Sequence, residues 1–113
     1  MHTNISFSGI VIHGKKLGHT IGYPTANIAL PVGFIDDGVY TLAIDVADVI
    51  YRGIGTYRES IELFEAHIFD FDTDIYGETL GITLIRKIRD NQKFDSFDAL
   101  KNQINKDVEI AKQ

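Results

Sequence analysis

The segment VYTLAIDV, residues 39–46, alternates between two kinds of side chain along its length. The even positions are all apolar, whereas the residues between them are smaller or polar: Tyr40, Leu42, Ile44 and Val46 on one face, and Thr41, Ala43 and Asp45 on the other. Successive side chains of a strand point to opposite faces, so this pattern predicts a strand with one face in a core. Turn residues at 36–38 precede it, and a tight turn near Ala47 and Asp48 is expected after it.

Further strands are predicted on both sides of this segment. Their ranges, chosen for β-branched and aromatic content, are 5–13, 49–56, 63–69 and 80–88, and an Asp-rich turn at 70–77 separates the last two. Alternation in the segment 63–69 divides it into two faces, with Leu63, Glu65, His67 and Phe69 on one and Phe64, Ala66 and Ile68 on the other.

The hydrophobic period changes near the C-terminus. Apolar residues recur at steps of three and four, as expected for an amphipathic helix: Phe97, Leu100, Ile104, Val108 and Ala111. Ser96 is a predicted N-cap, and Asp98 in the first turn suits the helix dipole. Several short strands followed by one helix predict a single domain over residues 1–113, an antiparallel barrel with the helix packed outside.

Composition excludes several classes of function. The 113 residues carry a formal charge of −5 and contain no cysteine, which excludes disulfides, cysteine-ligated metals and thiol nucleophiles. Lysine and arginine form no basic face, so a nucleic-acid partner is not expected. No apolar run has the length of a membrane-spanning helix and the N-terminus does not resemble a signal peptide, so we expect a cytoplasmic protein without a membrane partner.

Two local motifs resemble known sites but lack required residues. Residues 9–16 read GIVIHGKK, in which Lys16 stands where a P-loop needs Ser or Thr, and the intervening residues are strand-like. The Asp-rich turn begins like a calcium loop, but Ile75 and Gly81 stand where the loop needs Gly and Glu. The four histidines have no metal-ligand spacing.

The segment GHTIGYPTANI, residues 18–28, is the one that carries chemistry. Its glycines and proline impose a special backbone path, and Thr25 and Asn27 alternate on one side of an extended stretch. Their side-chain oxygens are ligands of the kind that Mg²⁺ accepts. On residue types alone, a polar loop leading into an edge strand explains the segment better than a metal site does.

The residues GYPTANI at 22–28 resemble the signature of the riboflavin kinase family, which includes single-domain enzymes and the C-terminal half of bacterial bifunctional FAD synthetases. Further family motifs match in order along almost the whole chain, at residues 8–18, 38–40, 65–72, 74–77 and 93–96. The resemblance implies a mainly β fold, a six-stranded antiparallel Greek-key barrel with one C-terminal α-helix outside.

The resemblance also implies an activity and a site. The expected reaction is phosphoryl transfer from ATP to riboflavin, giving FMN, with Mg²⁺ bound by Thr25 and Asn27 and with Glu65 as the general base. The residues implied to bind ATP are Gly14, Lys15, Gly18, Thr20, Gly22, Pro24, Thr25 and Asn27. Those implied near the flavin are Tyr76, Gly77, Arg89, Phe94 and Phe97, although the helical spacing of Phe97 favours an ordinary core position.

Two departures from the family pattern bear on function. The segment 55–60, GTYRES, is predicted as a shortened loop without the family's proline-containing run, and such loops exclude water from active sites. His19 stands where an arginine is frequent. These departures leave open an alternative, a non-catalytic module that binds flavin or nucleotide; a barrel serving only protein interaction gives Thr25, Asn27 and Glu65 no role. An adenylyltransferase domain in a longer parent chain is a further expected partner.

Overall fold

The computed structural model describes residues 5–12, 25–71 and 73–113. The described elements, in chain order, are the strands β1 (Ile5–Ile12), β2 (Ala26–Ala29), β3 (Gly38–Val46), β4 (Val49–Arg58), β5 (Leu63–Ile68) and β6 (Thr79–Arg89), and the helix α1 (Phe97–Ala111). A short 3₁₀ helix, Glu59–Ile61, joins β4 to β5.

The six strands form one closed antiparallel barrel in the order β1-β2-β5-β4-β3-β6. Each strand pairs with both of its neighbours, and β1 closes the ring against β6. This confirms the predicted mainly β fold with a C-terminal helix. Among the described residues, no helix has both the length and the apolar character needed to cross a membrane.

The barrel interior contains the apolar faces that alternation predicted. The even positions of β3 and the even positions of β5 belong to one buried cluster: Tyr40, Leu42, Ile44 and Val46, with Phe64, Ala66 and Ile68. Gly55 on β4 lies between Tyr40 and Ala66 in the strand register. A Cβ atom at Gly55 would lie only 2.6 Å from the Phe64 ring, so the glycine makes room for that ring.

The turn between β3 and β4 uses two non-glycine residues in the left-handed region. Ala47 has φ 50° and Asp48 has φ 69°, which are the backbone angles that a two-residue hairpin requires. The Asp45 side chain accepts a hydrogen bond from the Asp48 backbone N–H at 2.9 Å. This carboxylate stabilises a turn that lacks the usual glycine. The turn lies at residues 47–48, where the sequence predicted a tight turn.

The helix begins where the sequence predicts but buries less of its apolar stripe than expected. The Ser96 hydroxyl accepts a hydrogen bond from the Ala99 N–H at 3.1 Å, which confirms the N-cap. Val108 and Ala111 pack with Val39, Ile54 and Phe69 on the outer face of the barrel. The expectation of a core position was wrong for Phe97, which is 53% exposed, because only the C-terminal half of the helix covers the barrel.

The expected loop at 55–60 is also corrected by the structure. Strand β4 continues to Arg58, and residues 59–62 alone turn the chain into β5. Tyr57 points into the interior, where its hydroxyl donates to the Leu30 carbonyl oxygen at 2.7 Å. Thr56 and Arg58 therefore lie on the outer face of a strand, not in a loop.

Candidate active site

The outer face of the barrel carries a row of chemically distinct side chains across neighbouring strands. Asn27 on β2 is opposite Glu65 on β5, and Glu65 is opposite Thr56 on β4. The row continues through Val39 on β3 to Arg89 on β6. Residues directly opposite each other in antiparallel strands have neighbouring side chains on the same face. Local alternation thus places polar groups outside while their immediate neighbours fill the interior.

A cavity of about 160 Å³ lies between this outer face and the segment that leads into α1. One wall belongs to the barrel and carries Thr25, Thr56, Arg58, Glu65 and His67. The other wall comes from residues after β6 and from the helix, including Asn91, Phe94, Leu100, Ile104 and Asp107. The helix residues left uncovered by the barrel thus give the cavity an apolar side, opposite a polar one.

Glu65 is half-buried in this cavity. Burial raises the pKa of its carboxyl above the ordinary value, because desolvation disfavours the charged form. The Arg58 guanidinium and the Thr25 hydroxyl act in the opposite direction and partly lower that pKa. A half-buried carboxylate with a raised pKa is suited to accept a proton.

Two buried oxygens near Glu65 have no hydrogen-bond partner among the described residues, Thr25 Oγ1 and Asn27 Oδ1. The Thr25 hydroxyl lies near enough to Glu65 to affect its pKa, but the geometry is not that of a formed hydrogen bond. Buried polar atoms are normally paired, so two such oxygens on one side of an extended stretch are available to a ligand. Hard oxygen donors of this kind fit Mg²⁺.

The described residues do not themselves form a metal cage, since they contain no group of three His, Asp or Glu side chains suited to a metal ion. Magnesium in nucleotide sites commonly keeps water and takes phosphate oxygens as further ligands, so it needs few groups from the protein. Thr25 and Asn27 therefore fit an ion that arrives with a phosphate, and they do not fit a permanently bound structural metal.

Arg89 is held rigidly at the edge of the cavity. Its Nε and Nη2 atoms donate to the Asp107 carboxylate at 3.0 and 2.8 Å, and its Nη1 donates to the Asp90 carbonyl oxygen. Gln103 also donates to Asp107, which is only 2% exposed. The guanidinium lies 5.8 Å from the centre of the Phe94 ring. Arg89 therefore presents a flat surface beside Phe94.

The predicted site residues fall into separate places. Thr25, Glu65, Arg89 and Phe94 line the cavity, and Asn27 is directly opposite Glu65 in the strand register. Tyr76 and Gly77 do not line it; the Gly77 N–H donates to the Val11 carbonyl oxygen, which places their turn against the end of β1. Phe97 is exposed and is not part of the cavity lining.

The remaining residues predicted to bind ATP lie outside the described residues: Gly14, Lys15, Gly18, Thr20, Gly22 and Pro24.

Sequence reasoning missed Arg58, His67 and Asp107 as cavity residues. Arg58 was assigned to a loop, and His67 was noted only for its shared face with Glu65. Asp107 could have been found from the helical pattern, because it lies beside Val108 and three residues after Ile104 on the apolar stripe. A carboxylate at such a position requires a partner.

Comparison with known proteins identifies relatives of this chain. A family model described as Flavokinase: Riboflavin kinase matches residues 1–113. A bifunctional riboflavin kinase/FMN adenylyltransferase of Haemophilus influenzae is 44% identical over 116 residues, a match that covers 92% of this chain and 36% of that protein. The chain thus spans about a third of the length of this curated relative.

Solved structures agree on the fold. A crystal structure from Streptococcus pneumoniae, described as a macrolide-efflux protein, is 38% identical with a TM-score of 0.84, and the match covers 96% of this chain and 38% of that one. The riboflavin kinase of Trypanosoma brucei superposes with a TM-score of 0.69 at 23% identity, covering 98% of this chain and 79% of that one. At that identity the second comparison bears on the fold alone.

Proposed function

The chain belongs to the riboflavin kinase family, and we propose that it transfers the γ-phosphoryl group of ATP to the terminal ribityl hydroxyl of riboflavin. The products are FMN and ADP. The observation that carries this proposal is the position of Glu65. It is half-buried beside two oxygens that have no hydrogen-bond partner among the described residues, and it faces a cavity with an apolar far wall. A phosphoryl-transfer site needs a proton acceptor, a place for phosphate and a place for the acceptor molecule, and these features meet here.

Glu65 is the proposed general base. Its carboxylate accepts the proton of the terminal hydroxyl as that oxygen forms a bond to the γ-phosphorus, and the bond from phosphorus to the bridging oxygen of ADP breaks. Burial supports this role because the raised pKa makes the carboxylate a better proton acceptor than an exposed glutamate. The reaction leaves the proton on Glu65, from which it returns to solvent after product release.

Thr25 and Asn27 are the proposed ligands of Mg²⁺ and of the ATP phosphates. The support is that both oxygens are buried without a described partner and lie on the face that carries Glu65. When bound, the ion supplies neutralisation of phosphate charge. The predicted phosphate contacts of residues 14–24 remain part of this proposal.

The flavin ring is proposed to occupy the side of the cavity formed by Phe94, Leu100 and the flat face of Arg89. Three of the five Arg89 N–H groups are directed to Asp107 and Asp90, which fixes the plane of the guanidinium and leaves its flat face for stacking with a ligand. A planar aromatic ring suits a guanidinium that is already paired with Phe94. Tyr76, Gly77 and Phe97 are not used in this arrangement.

The relatives that match over part of their length are described as bifunctional, with an FMN adenylyltransferase activity in addition. We propose that this chain performs the kinase step and that an adenylyltransferase domain is its partner in a longer protein. Adenylyl transfer to FMN is then the reaction that consumes its product.

The direct test is incubation of the protein with riboflavin and Mg·ATP, followed by chromatographic separation of flavins. FMN should form, and Glu65→Gln should lower kcat by about 100-fold or more. Riboflavin fluorescence should still be quenched when riboflavin binds to this variant. Glu109→Gln, a matched change at an exposed helix position, should keep the wild-type rate. No FMN above the Glu65→Gln background contradicts the proposal.

A second candidate is a module that binds flavin without turnover. It is favoured by the tight connection between β4 and β5, which leaves only residues 59–62 to cover the cavity from that side. Such a protein would quench riboflavin fluorescence and release no FMN over many hours with Mg·ATP. Multiple turnovers per protein molecule exclude it.

A further inference from the structure

Two arginines line the cavity, Arg58 and Arg89, and within the described part of the chain only Arg89 has a hydrogen-bonded partner. The Arg89 guanidinium is bound by Asp107 and by the Asp90 carbonyl oxygen. The Arg58 guanidinium makes no hydrogen bond or ion pair with any residue in the described part of the chain, although it lies in the same cavity as Glu65. A cation that faces a cavity without a partner is available to an anionic ligand.

Strand register explains why Arg58 reaches the region of Glu65. Thr56 is opposite Glu65, and Arg58 is opposite Leu63, so Arg58 is the diagonal neighbour of Glu65 on the outer face. Diagonal neighbours on paired strands are separated by about 7–8 Å, a distance that a long side chain spans. The extension of β4 to its last residue, Arg58, is thus what brings this guanidinium to the cavity.

The proposed reaction creates a need for positive charge at this point. A γ-phosphoryl group must approach a hydroxyl that is bound to the Glu65 carboxylate, which brings like charges together in a partly desolvated space. A guanidinium offers a planar fork that matches phosphate oxygens, and a nearby cation stabilises the charge that develops during transfer. Arg89 cannot serve because Asp107 already neutralises it.

We propose that Arg58 is a catalytic residue that binds the transferred phosphoryl group beside Glu65. The inference rests on the proposed kinase activity and extends it to a residue to which no sequence motif assigns a role. Arg58 is the last residue of β4, and residues 59–62 connect β4 to β5 by a short turn. The positive charge on this side of the cavity therefore comes from the end of a strand.

Arg58 has a second consequence for Glu65. Its charge lowers the pKa of the Glu65 carboxyl against the raising effect of burial. The other titratable or charged groups on the cavity wall are His67 from β5, Arg89 from β6 and Asp107 from α1, and the last two neutralise each other. Among the described groups of this wall, Arg58 is therefore the permanently charged cation left for an anionic ligand.

The experiment compares steady-state kinetics of the wild type, Arg58→Gln, Arg58→Lys and Arg52→Gln. Arg52 is the matched control, since it is exposed on the same face of the same strand and does not line the cavity. We expect Arg58→Gln to lower kcat by about 10- to 1000-fold, below the range of about 10³–10⁵ that a phosphoryl-transfer arginine contributes in GTPases. Arg58→Lys should recover part of the loss, and riboflavin affinity should change by less than about threefold in each variant.

The outcomes separate the two levels of the proposal. An active wild type with Arg58→Gln and Arg52→Gln both within about twofold of its kcat overturns the role of Arg58 and leaves the kinase activity intact. A loss confined to riboflavin affinity, with kcat unchanged, also overturns it. A wild type that forms no FMN overturns both proposals. Thermal melting of each variant identifies a kinetic loss that comes from unfolding.

Discussion

Arg89 and Asp107 join the end of β6 to the second half of α1 through two parallel hydrogen bonds, with Nε–Oδ1 at 3.0 Å and Nη2–Oδ2 at 2.8 Å. Asp107 is almost fully buried, and the Arg89 side chain is 19% exposed. Gln103 gives the same carboxylate a second donor residue. The pair thus fixes the helix over the cavity and orients the surface that Phe94 shares with Arg89.

Removal of one partner of this pair should be costly. Asp107→Ala leaves a largely buried guanidinium without its counter-charge, so we expect the free energy of unfolding to fall by about 3 kcal/mol or more. Urea denaturation measures the change. Asp90→Ala removes an exposed ion pair with Lys87 and should leave the denaturation midpoint unchanged. Equal effects of the two substitutions contradict the assignment of Asp107 as the main anchor of the helix.

Glu65→Gln should stabilise the folded protein at neutral pH. The pKa of Glu65 is raised in the folded state above its ordinary value of 4.5, so the folded protein holds this proton to higher pH than the unfolded chain does. The ionised carboxylate therefore lowers stability as pH rises from the unfolded pKa through the folded pKa, and the loss is complete above it. We expect Glu65→Gln to raise Tm by about 2–4 °C at pH 7.5, with little difference from wild type at pH 4. A gain of the same size at both pH values contradicts the electrostatic origin.

Asn27→Leu should separate stability from ligand binding. The buried Asn27 Oδ1 lacks a described partner, and an apolar residue of similar size removes that cost, so the variant should unfold at the wild-type temperature or above. Mg·ATP at about 100 times its Kd stabilises a protein by about 2.7 kcal/mol, and this shift in Tm should disappear in the variant. Asn102→Leu, at an exposed helix position, should keep the shift. A full Mg·ATP shift in Asn27→Leu excludes Asn27 from the nucleotide site.

Phe94 and Phe97 should differ in their effect on riboflavin binding. Phe94 lines the cavity beside Arg89, whereas Phe97 is exposed and lies outside the lining. Loss of an aromatic stacking partner should weaken riboflavin binding by about tenfold in Phe94→Ala. Phe97→Ala should change it by less than about threefold. Titration of riboflavin fluorescence measures both, and the reverse order of effects places the flavin near the helix N-terminus instead.

Gly55→Ala should destabilise the barrel more than Gly81→Ala does. A Cβ at residue 55 would lie 2.6 Å from the Phe64 ring and 2.8 Å from Leu42 Cδ1, inside the packed interior. Overpacking of this kind costs about 1–3 kcal/mol. A Cβ at residue 81 would meet only the Asp45 Cβ at 3.3 Å, which a small shift relieves. Urea midpoints compare the two, and a smaller cost at residue 55 contradicts tight packing around Phe64.

Alternation predicted the interior of the barrel because the interior imposes one requirement, apolar contact, on every second residue. The same requirement explains why the end of β4 was not predicted as a strand, since its outer face does not contact an apolar layer. Thr56 is half-buried and Arg58 is exposed, and both line a cavity instead of an apolar layer, so the segment has the composition of a loop although its backbone is a strand. The position of Phe97 was mistaken because helical period identifies a stripe but not how far the barrel extends beneath it.

Sequence indicates a candidate site most readily where one segment carries its residues, and least readily where distant segments meet. Thr25 and Asn27 are close in sequence, and family resemblance drew attention to Glu65. The pairing of Arg89 with Asp107 joins residues 18 positions apart through the helix orientation. Local patterns contain no information on such an orientation. Strand register, which places Arg58 diagonal to Glu65, is likewise a property of the closed barrel.

Strand β5 assigns alternate positions to different tasks, because Phe64, Ala66 and Ile68 face the interior while Glu65 and His67 face the cavity. A complete set of substitutions along this one strand should therefore show two interleaved phenotypes, with protein abundance falling at the even positions and specific activity falling at the odd ones. Substitutions at the even positions thus change the packing of the interior, whereas substitutions at Glu65 and His67 change the cavity. Catalytic change in this chain is then open to single substitutions that leave folding intact.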